Sequence, residues 1–137
     1  MNIHEFLDLP HRFRWGGIGG DDCTTFCATW IQNVTGIDPA NELRGTYRTQ
    51  EGAHEVLNRF GGLSSFMAHH LEHMGFKRVQ NPIDGDVGII KSFTPGGHLG
   101  VQTTLLSAIR FGPLWATLSP HGVARKKADF ISAWRVS

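Results

Sequence analysis

Cys23 carries the strongest chemical reading of this chain. It follows Asp21 and Asp22, which close a loop, Gly16-Gly17-Ile18-Gly19-Gly20, with four glycines in five residues. A helical stripe starts at the cysteine. Cys23, Phe26, Cys27, Trp30, Ile31 and Val34 recur at i, i+3, i+4, i+7, i+8 and i+11, the period of a buried helix face. Asp21 or Asp22 supplies an N-cap and Gly36 a stop, so a helix is expected over 22–35. A cysteine in the first turn meets partial positive charge and unpaired N–H groups. Both favour the thiolate, which is the nucleophile. The same N–H groups can hold the oxyanion of a tetrahedral intermediate. Cys27, one turn further in, reads as core. A thiolate also needs a base, usually histidine. His98 is the best placed of the eight histidines: it follows Pro95-Gly96-Gly97 and begins the run His98-Leu99-Gly100-Val101. A strand edge mounts an imidazole rigidly, and Gly97 and Gly100 leave room for substrate.

The elements that must position this pair follow from period and punctuation. Asn2 caps a short helix, Ile3 to Leu9, stopped by Pro10. After a polar loop from Asp38-Pro39 to Tyr47, Thr49 caps a second helix whose stripe is Ala53, Val56, Leu57 and Phe60, with Gly61-Gly62 as its stop. Ser64 is the expected cap of a third, carrying Met67, Leu71 and Met74 and ending at Gly75. Beyond Asn81-Pro82 the period changes. Val87 to Ile90, Leu99 to Thr104, Leu106 to Phe111 and Leu114 to Leu118 read as short strands broken at Gly or Pro. A last amphipathic piece runs from about 124 to 134. Helices first and strands second predict one α+β domain over 1–137, with the N-terminal helices on one face of a small antiparallel sheet.

Composition narrows the partners. The chain has 137 residues, 40% hydrophobic and 18% charged, with 13 basic and 12 acidic residues for a net charge of +1. A domain of this length folds without a staple, and a broad electrostatic nucleic-acid binder is disfavoured. Arg125-Lys126-Lys127 is too short for such a patch and reads as surface. No apolar run reaches membrane-spanning length. No basic segment precedes an apolar core at the N-terminus, so no secretory signal is expected. Two thiols four residues apart on a helix lie beyond disulfide reach, which fits synthesis in a reducing compartment. Zinc would need the Cys23/Cys27 and His69, His70 or His73 pairs together. About 40 residues separate them, too many for a finger, so no metal and no cofactor is expected. The glycine loop is not a phosphate cradle, because no Gly-Lys-Ser/Thr ending follows and no strand precedes.

Phe13-Arg14-Trp15-Gly16-Gly17, Asp22-Cys23-Thr24, Gly85-Asp86-Val87 and His98-Leu99-Gly100-Val101 occur in that order. The set resembles the NlpC-type cell-wall endopeptidases, which are papain-like cysteine peptidases. The resemblance spans about residues 13–104. It implies a papain-like α+β fold, Cys23 as nucleophile and His98 as base, with Asp22, Phe13, Trp15 and Gln102 as supporting residues. The implied substrate is an amide bond, most plausibly in a peptidoglycan stem peptide. Nearly the whole chain is similar to a phage and prophage family that shares the Trp-Gly and Asp-Cys start, Leu43-Arg44-Gly45-Thr46-Tyr47 and the closing Ala133-Trp134-Arg135-Val136. That similarity implies synthesis in the bacterial cytoplasm and a place in the virion tail, with tail-tip or hub proteins as partners.

The chain also departs from the peptidase pattern. Phe13 stands where the peptidases usually have Tyr, and Thr24-Thr25 replace Ser-Gly. The stretch Ile109-Arg110-Phe111 offers no group to orient His98, leaving Gln102 and Ser107 as substitutes; without an orienter an imidazole is less fixed. Three expectations therefore compete: a Cys-His amide hydrolase, a catalytically weakened papain-like domain serving as a tail component, and an acyltransferase or deamidase using the same dyad.

Overall fold

Four helices precede five strands in the computed structural model, which describes residues 1–95 and 100–137. The helices are α1 (Ile3–Leu7), α2 (Cys23–Thr35), α3 (Gln50–Arg59) and α4 (Leu63–His73). The strands are β1 (Val87–Pro95), β2 (Val101–Phe111), β3 (Leu114–Ser119), β4 (Gly122–Lys126) and β5 (Phe130–Trp134). The sheet order is β4-β3-β2-β1-β5, with every neighbouring pair antiparallel. This is the α+β arrangement expected from the sequence. No helix among the described residues is long and apolar enough to cross a membrane.

The caps explain most boundaries. Asn2 and Glu5 form a reciprocal capping box on α1, which ends at Leu7, two residues before the expected limit. Asp22 caps α2, and Gly36 closes it in the left-handed conformation. Thr49 caps α3 as expected. Ser64 does not cap α4. The chain reverses through Gly61 and Gly62, both at positive φ, so Gly62 takes the N-cap position and Ser64 falls inside the first turn.

The sheet departs from expectation in one place. Residues 101–111 form one strand where the pattern predicts two. No breaker stands at Leu105, and β2 pairs with β1 without interruption from Val87↔Ile109 to Pro95↔Val101. The amphipathic piece over 124–134 resolves into the end of β4 and all of β5.

Alternation along the strands sorts the two faces. Val87, Ile89, Ile109, Ala116 and Leu118 face the helices and pack with Phe6, Phe26, Trp30, Ile31, Phe66 and Leu71. Ile90, Ala108, Trp115 and Ala133 form a smaller cluster on the other face. The Gly85-Asp86 motif anchors both the helix layer and the chain's last strand. Trp30 Nε1 donates to Gly85 O at 2.7 Å. Asp86, 1% exposed, accepts from Arg135 Nε at 3.0–3.1 Å and from the amides of Ile83 and Val136. Gly85-Asp86 and the closing Ala133 to Val136 stretch are therefore two halves of one clamp.

Removing Arg135 would leave a buried carboxylate with no counter-charge. Arg135→Ala should lower unfolding stability by about 2–3 kcal/mol, below the full cost of breaking a buried pair because the guanidinium is partly exposed. Urea unfolding would measure it, and an unchanged midpoint would refute the clamp.

Candidate functional site

The glycine loop folds back on itself before it reaches Cys23. Arg14 N donates to Asp21 O and Asp21 N to Arg12 O, both at 2.9 Å, so residues 12–14 run beside Asp21. Gly16 and Gly17 adopt positive φ of 91° and 70°. A Cβ at Gly16 would sit 2.1 Å from Tyr47 O, and one at Gly17 would strike Arg44 and Thr25. Only glycine lets the loop lie this close to residues 44–47.

Two aspartates hold this packing together. Asp21 receives Arg44 Nη1 at 2.9 Å and the hydroxyl of Thr29. Arg44 also reaches Asp38 through Nε at 2.7 Å and Gly17 O at 3.0 Å. Burial opposes the Arg44 charge, but Asp38 and Asp21 outweigh it and hold the guanidinium above its ordinary pKa. Asp22, 2% exposed, accepts from four donors: the amides of Gly16, Thr24 and Thr25, and the hydroxyl of Tyr47. Burial and the Asp22 carboxylate push the Tyr47 phenol far above its usual range, so Tyr47 is a permanent donor.

Cys23 begins α2 beside this knot and opens onto a cavity of about 170 Å³. Trp15, Tyr47, Gln50, His54 and residues Thr104 to Leu106 of β2 share its wall. The side chain facing the thiol from the sheet is Ser107, which is fully buried. Ser107 Oγ lies 3.2 Å from Thr24 Oγ1, and Thr24 Oγ1 is 4.0 Å from Cys23 Sγ.

The electrostatics run against a thiolate. Burial raises the Cys23 thiol, and the Asp22 carboxylate raises it further. Hydrogen bonding from Ser107 and Thr24 only partly opposes them. The helix N-terminus was expected to do the reverse, but its capping residue is itself a carboxylate next to the sulfur. That carboxylate also occupies the Thr24 and Thr25 amides, two of the groups expected to hold an oxyanion. Cys27 is more deeply buried, and its thiol stands well above the ordinary value.

The predicted site residues divide as follows. Cys23, Asp22 and Trp15 meet at the cavity. Phe13 stands behind Trp15, edge to face, with ring centroids 5.0 Å apart. His98 lies outside the described residues. Gln102 pairs with Thr94 in the β1–β2 ladder. The described part of β2 begins at Val101, six residues before Ser107, or about 20 Å along a strand. Among the described residues, no group of three or more His, Cys, Asp or Glu side chains is gathered as a metal set.

A family model described as Domain of unknown function (DUF6950) matches residues 3–136. The chain belongs to the DUF6950 family. No curated protein and no solved structure matches it. The DUF6950 match covers the glycine loop, the Asp22 knot and the Asp86–Arg135 clamp together.

Sequence reasoning missed the part that four residues play in this DUF6950 site. Arg44 and Tyr47 were visible only as a shared stretch, since nothing local says that they bond residues 21 and 22. Ser107 was noted only as a substitute orienter, because the β1–β2 register decides what faces Cys23. His54, on the exposed side of α3, gave no signal in the sequence.

Cys23 should therefore alkylate more slowly at neutral pH than a free thiol of pKa near ~8.5, with a rate still rising above that pH. Cys27 should react only on unfolding. Asp22→Asn keeps a good capping residue but removes the adjacent negative charge. The Cys23 pKa then falls and its neutral-pH reactivity rises about three- to tenfold. Peptide-resolved mass spectrometry across pH would measure both; a Cys23 profile identical in the variant would refute the role given to Asp22.

Proposed function

We propose that this domain has a papain-like, NlpC-type fold whose cysteine site is held at rest, and that it serves as a structural and ligand-binding component of a phage tail or tail tip. One observation carries the reading: among the described residues, the group facing Cys23 from the sheet is the Ser107 hydroxyl. A serine hydroxyl does not accept a thiol proton at neutral pH as a base must. Three further features support it. The thiol is pushed up, the first-turn amides are occupied by Asp22, and Phe13 brings no hydroxyl to the loop. The phage and tail assignment rests on the shared Leu43 to Tyr47 and Ala133 to Val136 stretches. Both are structural: the first ties down the glycine loop, the second closes the Asp86 clamp.

The hydrolase reading keeps one observation of its own. His54 lines the same cavity as Cys23. If ligand binding drew that imidazole to the sulfur, His54 would deprotonate Cys23, the thiolate would attack an amide carbonyl, and protonated His54 would give its proton to the leaving amine. Water would then release the acyl group.

Incubation with peptidoglycan sacculi separates the two. The resting-site reading expects no released peptide above the level of Cys23→Ser. It also expects phage carrying Cys23→Ser to assemble and infect normally, with the protein found in virions at fixed stoichiometry. Release of peptide that is lost in Cys23→Ser would overturn it, and further loss in His54→Ala would assign the base. Ser107→His places an imidazole at the position that faces the thiol. It should make Cys23 alkylation at neutral pH at least about tenfold faster if a hydroxyl in place of a base at residue 107 is what holds the site at rest.

A further inference from the structure

We infer that a surface groove adjoining the cysteine cavity at Trp15 binds a carboxylate-bearing peptide, with an apolar side chain of that peptide entering the cavity beside Cys23. The cavity alone, at about 170 Å³, is smaller than the ~300–1,000 Å³ of ordinary ligand sites. It does not stand alone. Trp15 and Tyr47 line both this cavity and an open groove of about 720 Å³ on the outer side of the glycine loop. A peptide lying in the groove therefore rests against the same Trp15 ring that borders the cavity.

The two compartments differ in chemistry. The groove carries the guanidinium groups of Arg14 and Arg48, and no carboxylate among its lining residues. Both arginines are exposed, and neither belongs to an ion pair among the described residues. The other groove walls include the Phe13 and Trp15 rings, Ile18 and Pro120. Guanidinium forks recognise carboxylates with charge-assisted bonds, and the flat rings receive a peptide backbone or side chain. The cavity, by contrast, is walled mainly by Leu43, Val56, Leu57, Leu63, Phe66 and Leu105. Its one carboxylate, Asp22, already accepts from four donors. The cavity therefore takes an uncharged, apolar group.

The carboxylate is that of the peptide's C-terminus or of an acidic side chain; the chemistry is shared, and the probes distinguish the two. This inference names the ligand of the resting site proposed above but does not require that site to be inactive.

Trp15 provides the signal. It is half-buried at the junction, whereas Trp30, Trp115 and Trp134 are at most 4% exposed. The probe is acetyl-Leu-Ala-Glu-Ala with a free C-terminus, titrated by tryptophan fluorescence and by calorimetry into wild-type protein and Cys23→Ser. Companion peptides carry a C-terminal amide, Gln in place of Glu, or both changes. Binding is expected with a Trp15 fluorescence change that Trp15→Phe abolishes. The doubly neutral peptide and the Arg14→Ala/Arg48→Ala variant should each bind about tenfold or more weakly. Loss with the amide alone points to the C-terminus, and loss with Gln alone to the side chain. Equal affinity for the neutral peptide, indifference to the double arginine variant, or no binding up to about millimolar concentration would overturn the inference. Circular dichroism confirms that the variants fold. If wild type cleaves the peptide while Cys23→Ser only binds it, the resting-site reading fails and the groove assignment stands. If neither protein binds and sacculi are untouched, the reverse holds.

Discussion

The Asp22 carboxylate is the constraint on which the site depends. It accepts from one amide of the glycine loop, two amides of α2 and a phenol from the segment after α2. A buried carboxylate is tolerable only when its lone pairs are satisfied, so each donor is needed where it stands. Gly16 must be glycine to bring its amide in, Tyr47 must be buried to bring its hydroxyl in, and α2 must begin at Cys23. Arg44 fixes the same loop from the other side through Asp21 and Gly17. The nucleophile candidate is therefore positioned by a group whose charge, added to the larger effect of burial, disfavours its thiolate. The helix end and its cap act on the sulfur with opposite signs, and burial adds to the side of the cap.

Away from the site, the sheet is closed by Asp86 and Arg135. That pair works differently. Arg135 keeps part of its hydration, and the carboxylate is otherwise held by backbone amides. It joins the turn before β1 to the segment leaving β5 and fixes where the sheet stops. The two aspartates thus divide the labour: one organises the loop around Cys23, the other the frame beneath it.

Much of the fold was legible because it is local. The stripe from Cys23 to Val34, its aspartate cap and the Gly36 stop are set within a dozen residues, and α2 follows them closely. Thr49 and Asn2 announce their helices for the same reason. What the sequence hid is non-local. Whether Leu105 interrupts a strand depends on the partner strand, and β1 pairs straight past it. Which residue faces Cys23 is a question of register, and Ser107 lies 84 positions away in the chain. The helix end favours a thiolate, but burial, which only the fold sets, and the charge of the aspartate cap, legible beside the cysteine, both oppose it.

The close approach of Gly16 to Tyr47 reaches beyond the loop. With no room for even one methyl group between them, and with the loop tied to Asp21, Asp22 and Arg44, the wall formed by Trp15 and Tyr47 is fixed before anything binds to it. Preorganisation of this kind removes the ordering cost that a floppy loop would impose on a ligand. A ligand that docked on this surface would therefore meet it closer to rigid docking than to induced fit, and a small number of contacts could suffice for specificity.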